Sequence, residues 1–155
     1  MLSEALRVLE FREICLLNSA TGSTQSISDL GRLMNESQTS CAELFECSCP
    51  ELDELTRLAR EAGAYGSRLT GAGWGGCTVS LVAEDDVEPF IRKISESYLA
   101  YHGFTQDELH EVLFATKPSS GARGGLLCLL FLNGTKGKLN CTCSSSISSP
   151  VNQFM

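Results

Sequence analysis

The segment with the clearest potential for chemistry is a run of glycines at residues 71–76, GAGWGG, directly before a strand-like segment. Glycine permits positive φ angles and lets a ligand approach the backbone. Successive N–H groups in such a loop can converge on an anion. The alternative is a tight hairpin or bulge between two strands that binds no ligand. The bulky Trp74 within the run favours a loop that packs into a pocket or flanks one.

Three nucleotide-binding motifs can be compared with this loop. Gly71, Gly73 and Gly76 satisfy G-x-G-x-x-G, but the dinucleotide-binding form requires a helix after the loop, whereas residues 77–82 alternate with strand period. A Walker A loop needs Gly-Lys-Ser/Thr, and no lysine lies near Gly76. The protein-kinase loop needs a downstream V-A-I-K lysine and an H-R-D motif, and the sequence has neither. The glycine spacing therefore matches none of the three in context.

Other polar residues do not form a recognisable catalytic set. No acid or nucleophile can be placed beside His102 or His110, which we predict to face solvent. Asp85 and Asp86 favour the start of a helix rather than a metal site. Arg68 lies close to the glycine run and either meets a phosphate group or takes a surface or ion-pair role.

The eight cysteines do not have the spacing of a zinc site, which needs paired C-x₂₋₄-C ligands. The pairs Cys47/Cys49 and Cys141/Cys143 are each one residue too close. Several cysteines occupy apolar positions of predicted helices or strands, where a free thiol behaves as a small hydrophobic group. We therefore predict reduced thiols and no metal ligands.

The amino-acid composition restricts the classes of protein to which this chain can belong. The 155 residues are 43% hydrophobic and 20% charged, which is enough to bury a core. The net charge is −7, and an acidic surface repels nucleic acids and anionic lipids. Charged side chains interrupt residues 1–18, so they do not resemble a secretory signal. These features predict a cytoplasmic protein without nucleic-acid or membrane partners.

Hydrophobic spacing predicts helices first and a sheet later. Helical periodicity occurs over residues 2–17 and 29–45, with a Ser/Thr/Gly-rich loop predicted at 18–28. A third helix begins at Ser48, with Glu51 completing a capping box, and ends at Gly63. A fourth begins at Asp85 and Asp86 and ends at Gly103. Strands are predicted at residues 77–82, 111–116 and 126–132, and residues 65–70 form either a partner strand or an extended approach to the glycine run.

The segment at residues 66–79, GSRLTGAGWGGCTV, closely resembles the third conserved motif of the GHMP small-molecule kinases, in the version of the galactokinase branch. The segments SEALRV (3–8), LMNES (33–37) and CSCPELD (47–53) resemble, in the same order, the sequence that precedes this motif. The wording of CSCPELD and LTGAGWGG is more similar to N-acetylgalactosamine kinases than to galactokinases proper. The resemblance covers about residues 3–122.

This resemblance implies an α+β fold, with helices packed on a small antiparallel sheet as in the C-terminal domain of GHMP kinases. It implies ATP- and Mg²⁺-dependent transfer of the γ-phosphoryl group to the anomeric hydroxyl of galactose or N-acetylgalactosamine, by a protein that acts as a monomer. The residues that it places beside the substrate and ATP cleft are the glycines of the loop and two polar neighbours: Gly71, Gly73, Gly75, Gly76, Thr70 and Ser67.

The sequence departs from the family pattern in two ways. The sugar-recognition motif, the Ser/Gly-rich phosphate loop and the catalytic Asp and Arg of the family's first half find no match, so no catalytic residue or metal ligand is assigned. We expect residues 1–122 to form the GHMP-like C-terminal domain without the N-terminal kinase domain, and 123–155 to be a divergent, disordered tail. We therefore expect the chain to be a sugar kinase domain that is inactive without the N-terminal half. The alternative is a non-catalytic regulatory or interaction protein on the same fold.

Overall fold

The computed structural model of the chain describes residues 2–21, 24–116 and 127–133. The helices are α1 (Leu2–Thr21), α2 (Thr24–Thr39), α3 (Pro50–Ala62), α4 (Val87–Ser97) and α5 (Gln106–Val112), and the strands are β1 (Gly66–Thr70), β2 (Cys77–Ala83), β3 (Leu113–Thr116) and β4 (Leu127–Asn133). All strand pairs are antiparallel, in the order β1-β2-β4-β3. The predicted α+β architecture is confirmed.

Helices pack on both faces of the sheet because successive residues of β2 point in opposite directions. Val82 lies in the largest hydrophobic cluster, with Leu55 of α3 and Phe90 of α4. Leu81, one residue earlier, packs with Leu30 and Met34 of α2, and part-buried side chains of α1 complete that second cluster. The β1–β2 hairpin is thus held between two helical layers, which positions the glycine loop at its tip.

The loop predicted at residues 18–28 is wrong for residues 18–21 and 24–28, because α1 continues to Thr21 and α2 begins at Thr24. Ser, Thr and Gly are poor helix formers in isolation. Here Ile27 and Leu30 belong to the cluster that also holds Phe11 of α1. Burial of these apolar side chains offsets the unfavourable local propensity, as tertiary packing commonly does.

The third helix begins one residue later than predicted. Its N-cap is Cys49, and the Ser48 hydroxyl donates to Asp53 Oδ1 at 2.6 Å instead of capping the helix. The predicted capping box with Glu51 is therefore wrong. The predicted end is confirmed, since Gly63 has φ of 116° and its N–H bonds the carbonyl oxygens of Ala59 and Arg60.

Helix α2 and strand β1 meet through two glycines, at a distance that leaves no room for a side chain. A Cβ atom on Gly31 would lie 2.2 Å from the carbonyl oxygen of Tyr65. A Cβ atom on Gly66 would lie 2.3 Å from the carbonyl oxygen of Gly31. The helix therefore lies directly against the backbone of the strand that carries the glycine loop.

After α4 the chain differs from prediction in two places. Helix α4 ends at Ser97, and a separate 3₁₀ turn covers Leu99–Tyr101. The helix α5 replaces the predicted first residues of a strand, so β3 begins at Leu113 rather than residue 111. None of the described helices has both the length and the apolar composition needed to cross a membrane.

The strand predicted at residues 126–132 is confirmed as β4, which pairs with both β2 and β3. Residues 127–133 thus belong to the sheet, although they lie in the segment assigned to a disordered tail, and for them that assignment is corrected. The division of the chain at residue 122 stays a prediction. The remainder of the tail lies outside the described residues.

Helix α5 is preceded by a capping box. The Glu108 N–H donates to Thr105 Oγ1 at 3.4 Å, and the Thr105 N–H donates to Glu108 Oε2 at 2.8 Å. These bonds satisfy two N–H groups that a helix start otherwise leaves unpaired. The spacing Thr-x-x-Glu was readable in the sequence, and it is the signal by which α5 could have been predicted.

We expect Thr105→Ala to lower the free energy of unfolding by about 1 kcal/mol, because the hydroxyl cap is lost. Hydrogen bonds from the backbone and hydroxyl of Thr105 lower the pKa of Glu108. A carboxylate with a lowered pKa stabilises the fold above its ordinary pKa of 4.5, and this contribution is lost as pH falls through the folded-state pKa. Urea unfolding of the wild type and of Glu108→Gln, compared at neutral and acid pH, checks the sign. A gap between the two proteins that widens towards acid pH would contradict the box.

Candidate glycine-loop site

The glycine run forms the loop of the β1–β2 hairpin. The last residue of β1, Thr70, pairs with the first residue of β2, Cys77, so residues 71–76 span the turn. The φ angles are 82° at Gly71, 87° at Gly73, 137° at Gly75 and 90° at Gly76. Only glycine adopts such angles without steric cost. The local sequence therefore matches a loop that needs glycine at four of its six positions.

One side of the loop is anchored to the turn that precedes α3, residues 45–49. The Trp74 N–H donates to the Cys47 carbonyl oxygen at 2.6 Å, and the Trp74 indole N–H donates to the Glu46 carbonyl oxygen at 3.1 Å. A Cβ atom on Gly73 would lie 2.1 Å from the Cys47 oxygen. The Trp74 ring also lies 6.3 Å from the ring of Phe45. Gly73 and Trp74 thus hold the loop in place.

The other side of the loop is open. A Cβ atom on Gly71 or on Gly76 would meet nothing within 4 Å among the described residues. Trp74 is 65% exposed, so its ring flanks the loop instead of filling a core pocket. This open side, with glycine backbone at its surface, has the space that a ligand would need. The amide of Trp74 is already bonded to the protein and is not available to such a ligand.

The two polar neighbours differ in location. Thr70 is half-buried at the end of β1, next to the loop. Ser67 is completely buried, and its hydroxyl bonds the Ser80 hydroxyl at 2.8 Å across the hairpin. The structure therefore places Ser67 in the core of the sheet, four residues before the loop, and this burial does not support its predicted place beside a ligand. A polar residue type in a glycine-rich motif does not by itself reveal burial.

The edge of β1 is covered by two side-chain amides that sequence reasoning missed. Asn35 accepts from the Ser67 N–H at 3.0 Å and donates to the Tyr65 carbonyl oxygen at 3.3 Å. Gln38 accepts from the Leu69 N–H at 2.7 Å. A strand at a sheet edge has a row of unpaired backbone groups. Asn35 and Gln38, three residues apart on α2, take the place of a neighbouring strand and so orient the hairpin.

Gln38 also ties this edge to the turn before α3. Its Nε2 donates to Asp53 Oδ1 at 3.1 Å and to Ser48 Oγ at 3.2 Å. The side chain is 5% exposed. One amide therefore links α2, β1 and the start of α3, the three elements that hold the loop and its anchor. The signal available in the sequence was the pair of amides at i, i+3 in the predicted helix.

A cavity of about 320 Å³ lies between α1, α2 and the sheet, away from the loop. Its walls are mainly apolar, with four polar side chains: Glu4, Arg7, Ser37 and Arg68. Arg68 lines this cavity, and its Nε donates to the Leu69 carbonyl oxygen at 3.0 Å. The cavity lining and the loop share no residue.

Ion pairs at the cavity rim join α1 to α2. Arg7 pairs with Glu4 and lies 3.6 Å from Glu36, and Arg32 bonds Glu36 at 2.7 Å and Glu10 at 3.1 Å. The hydrogen bond from Arg32 is the main cause that lowers the pKa of Glu36. The side chains of Arg32, Glu36 and Glu10 are between 43% and 51% exposed, and ion pairs at such positions stabilise a fold only weakly. The rim charges thus serve helix pairing.

The remaining predicted residues have no role at this site. His102 and His110 are exposed, as predicted. Asp85 and Asp86 lie in a 3₁₀ turn directly before α4, also as predicted. In the part of the chain that the structure describes, no three His, Cys, Asp or Glu side chains gather where they could hold a metal ion. The described residues therefore do not fit a Mg²⁺ site of their own.

Comparison with known proteins agrees with this architecture. The family model of the GHMP kinase C-terminal domain matches residues 12–100, more than half of the chain. The galactokinase of Dictyostelium discoideum is 44% identical over 138 residues, which covers 77% of this chain and 27% of the relative. The galactokinase of Saccharomyces cerevisiae is 42% identical, with 77% of this chain and 24% of the relative covered.

A bacterial relative shows the same pattern. The galactokinase of Bacillus subtilis is 45% identical over 83 residues, covering 53% of this chain and 21% of the relative. The chain spans about a quarter of the length of the curated relatives that it matches. From the domain match and the identity to galactokinases, the chain belongs to the GHMP kinase family, in its galactokinase branch, through the family's C-terminal domain.

Proposed function

We propose that this chain contributes the glycine-loop side of the substrate cleft of an ATP-dependent sugar 1-kinase. The proposed substrates are galactose or N-acetylgalactosamine, with ATP as phosphoryl donor. The observation that carries the proposal is the loop at residues 71–76, which combines four left-handed glycines with an open side at Gly71 and Gly76. The relatives are named galactokinases, which supports the sugar class.

The chemistry of the loop suits phosphoryl transfer. That reaction depends mainly on positioning and on stabilising charge on the transferred group. Backbone N–H groups beside phosphate do both, at little reorganisation cost when the loop is already held rigidly. The bonds from Trp74 to the 45–49 turn provide such rigidity. In this arrangement the phosphates of ATP lie at the open side of the loop. No residue of this chain is proposed as a ligand of Mg²⁺.

The same proposal holds that residues 1–155 do not transfer phosphate by themselves. The described residues offer neither a metal-binding group nor an assignable base beside the loop. Purified chain mixed with Mg·ATP and either sugar should then release ADP no faster than without sugar. Sugar-dependent ADP release by the chain would overturn this part of the proposal.

A chimera tests whether this chain can supply the glycine-loop side of a substrate cleft. In the Dictyostelium galactokinase, the segment matched by this chain is replaced by the chain's own residues, and ADP release is measured with both sugars. Activity that exceeds the background of the truncated relative supports a cleft-completing role. A folded chimera that binds neither sugar nor ATP and has no activity would count against it. The sugar with the higher kcat/KM in the chimera also shows whether this segment influences the choice of sugar.

Two alanine substitutions separate the open side of the loop from the anchored side. Gly71 and Gly73 have nearly equal φ angles of 82° and 87°, but only Gly73 touches the protein. Both variants should carry a similar backbone strain of about 1–2 kcal/mol. Gly73→Ala should cost roughly 2 kcal/mol more, because its methyl group meets the Cys47 oxygen. In the chimera, Gly71→Ala should lower kcat/KM more than its effect on stability explains. Equal unfolding free energies of the two variants would refute the anchor.

A second candidate function, an interaction protein, is favoured by an exposed apolar face on α1. Leu6, Leu9, Leu16 and Leu17 are between 58% and 64% exposed. Large exposed apolar patches usually mark contact surfaces. Under this reading, replacing the four leucines by glutamine abolishes binding of an apolar dye and leaves the helix content unchanged. A monodisperse monomer that binds no dye before substitution argues against this candidate.

A further inference from the structure

Two cysteines flank the turn that anchors the glycine loop. Cys41 lies in the π-helical turn Ser40–Leu44 that follows α2, and Cys47 lies in the middle of the 45–49 turn. The Cys47 N–H donates to the Cys41 carbonyl oxygen at 2.9 Å. This backbone bond holds the two residues side by side. The sequence predicts only that these thiols are reduced, and the thiol groups have no part in the proposed function.

The two thiols share one small hydrophobic cluster. Cys47 is 3% exposed and packs with Leu52 and Leu69, and Cys41 packs against the same group. Burial is the main cause that raises the pKa of Cys41, and the neighbouring Cys47 raises it further. A disulfide needs Cα atoms about 4.4–6.8 Å apart. The direct backbone hydrogen bond between Cys47 and Cys41 is the observation that places the two residues next to each other.

Cys41, Cys47 and Cys49 form no disulfide bond in the structure, so the cluster is seen in its reduced form. The two thiols differ in solvent exposure, because Cys41 is half-buried whereas Cys47 is buried. Cys49, also half-buried, packs against the same cluster and is the competing partner. It is separated from Cys47 by a single residue, and no backbone hydrogen bond among those of the described turn joins it to Cys41.

We propose that Cys41 and Cys47 form a redox-active dithiol that a small-molecule disulfide converts to an intramolecular disulfide. The Cys41 thiolate attacks one sulfur of oxidised glutathione and releases one glutathione thiolate. The Cys47 thiolate then attacks the Cys41 sulfur of this mixed disulfide and releases the second. The chain loses two hydrogens and two electrons, and the oxidant is reduced to two glutathione molecules.

The disulfide would act on the loop anchor directly. The Cys47 carbonyl oxygen accepts from the Trp74 N–H, and it is also the atom against which Gly73 packs. Covalent attachment of Cys47 to Cys41 restricts the turn to the geometry of the bridge. The position of the loop thereby becomes dependent on the redox state. This consequence concerns the loop conformation and holds whether or not the loop serves a kinase.

The fluorescence emission of Trp74 can report the change in the position of the loop. It is the single tryptophan of the chain, and its two N–H groups bond the carbonyl oxygens of Glu46 and Cys47. The full chain is equilibrated in buffers with increasing ratios of oxidised to reduced glutathione, and Trp74 emission is recorded. Peptide mapping under non-reducing conditions identifies the bridged residues. We expect a reversible loss of emission and one new peptide pair that joins Cys41 to Cys47.

The variants Cys41→Ser and Cys47→Ser should lose both the emission change and the bridged peptide. Cys15→Ser and Cys77→Ser, which alter cysteines outside the cluster, should keep both. Circular dichroism of every variant in reductant shows whether it folds. Trapping reduced protein with a bivalent arsenical, which captures only adjacent thiols, gives an independent readout that needs no oxidation. A mapped bridge to Cys49, or an emission change that persists in Cys41→Ser, overturns the proposal.

Discussion

The substitution Gly31→Ala is expected to lower the free energy of unfolding by about 3 kcal/mol, although alanine is the better helix former. In an exposed helix, replacing glycine by alanine stabilises by about 1 kcal/mol. Here the added methyl group would lie 2.2 Å from the Tyr65 carbonyl oxygen. This neighbour is backbone of the segment that leads into β1 and cannot rotate away. Helix α2 must therefore move off the strand, and the sign of the effect is reversed.

Urea unfolding of the full chain, followed by circular dichroism, measures this effect. The matched control is Ser28→Ala, an exposed position on the same helix, which should be neutral or slightly stabilising. Gly66→Ala approaches the same contact from the strand, because its methyl group would lie 2.3 Å from the Gly31 carbonyl oxygen. A Gly31→Ala chain as stable as the wild type would show that α2 does not lie against β1.

Replacing Gln38 by alanine is expected to cost roughly 3 kcal/mol, because several buried groups lose their partner at once. The Leu69 N–H, in a residue that is 2% exposed, loses its acceptor. Asp53 and Ser48 lose the Nε2 donor that ties them to α2. An unsatisfied buried N–H is costly in an apolar environment. The edge of β1 should loosen first, and the glycine loop with it.

Amide hydrogen exchange at Leu69 and equilibrium unfolding together measure the effect of Gln38→Ala. The variant Gln38→Glu keeps an acceptor for Leu69 but removes the donor towards Asp53, so it separates the two halves of the network. Gln106→Ala, at an exposed glutamine of α5, is the control for loss of a helical glutamine. Unchanged exchange at Leu69 in Gln38→Ala would contradict the role of this amide at the strand edge.

Local sequence patterns predicted those secondary-structure elements whose formation depends mainly on nearby residues. Helical periodicity identified α1, α3 and α4, and alternation identified β2, because side-chain period follows directly from backbone geometry. The stop at Gly63 was predicted for the same reason, since a left-handed C-cap favours glycine. The start of α3 was not predicted correctly, because the Ser48 hydroxyl bonds Asp53 instead of capping the helix. Which of these two partners Ser48 takes depends on the folded structure.

The sequence alone determined the family, the fold class and the location of the glycine loop. Four glycines in six residues specify a backbone that other residues rarely adopt, and this requirement is readable without coordinates. Only the tertiary structure decided which loop residues are anchored, that Ser67 is buried, and that Cys41 and Cys47 form a pair beside the anchor. Asn35 meets Ser67 and Gln38 meets Leu69 across 32 and 31 residues of chain. Contacts at such separation depend on how helices pack against the sheet, and local sequence patterns do not contain that information.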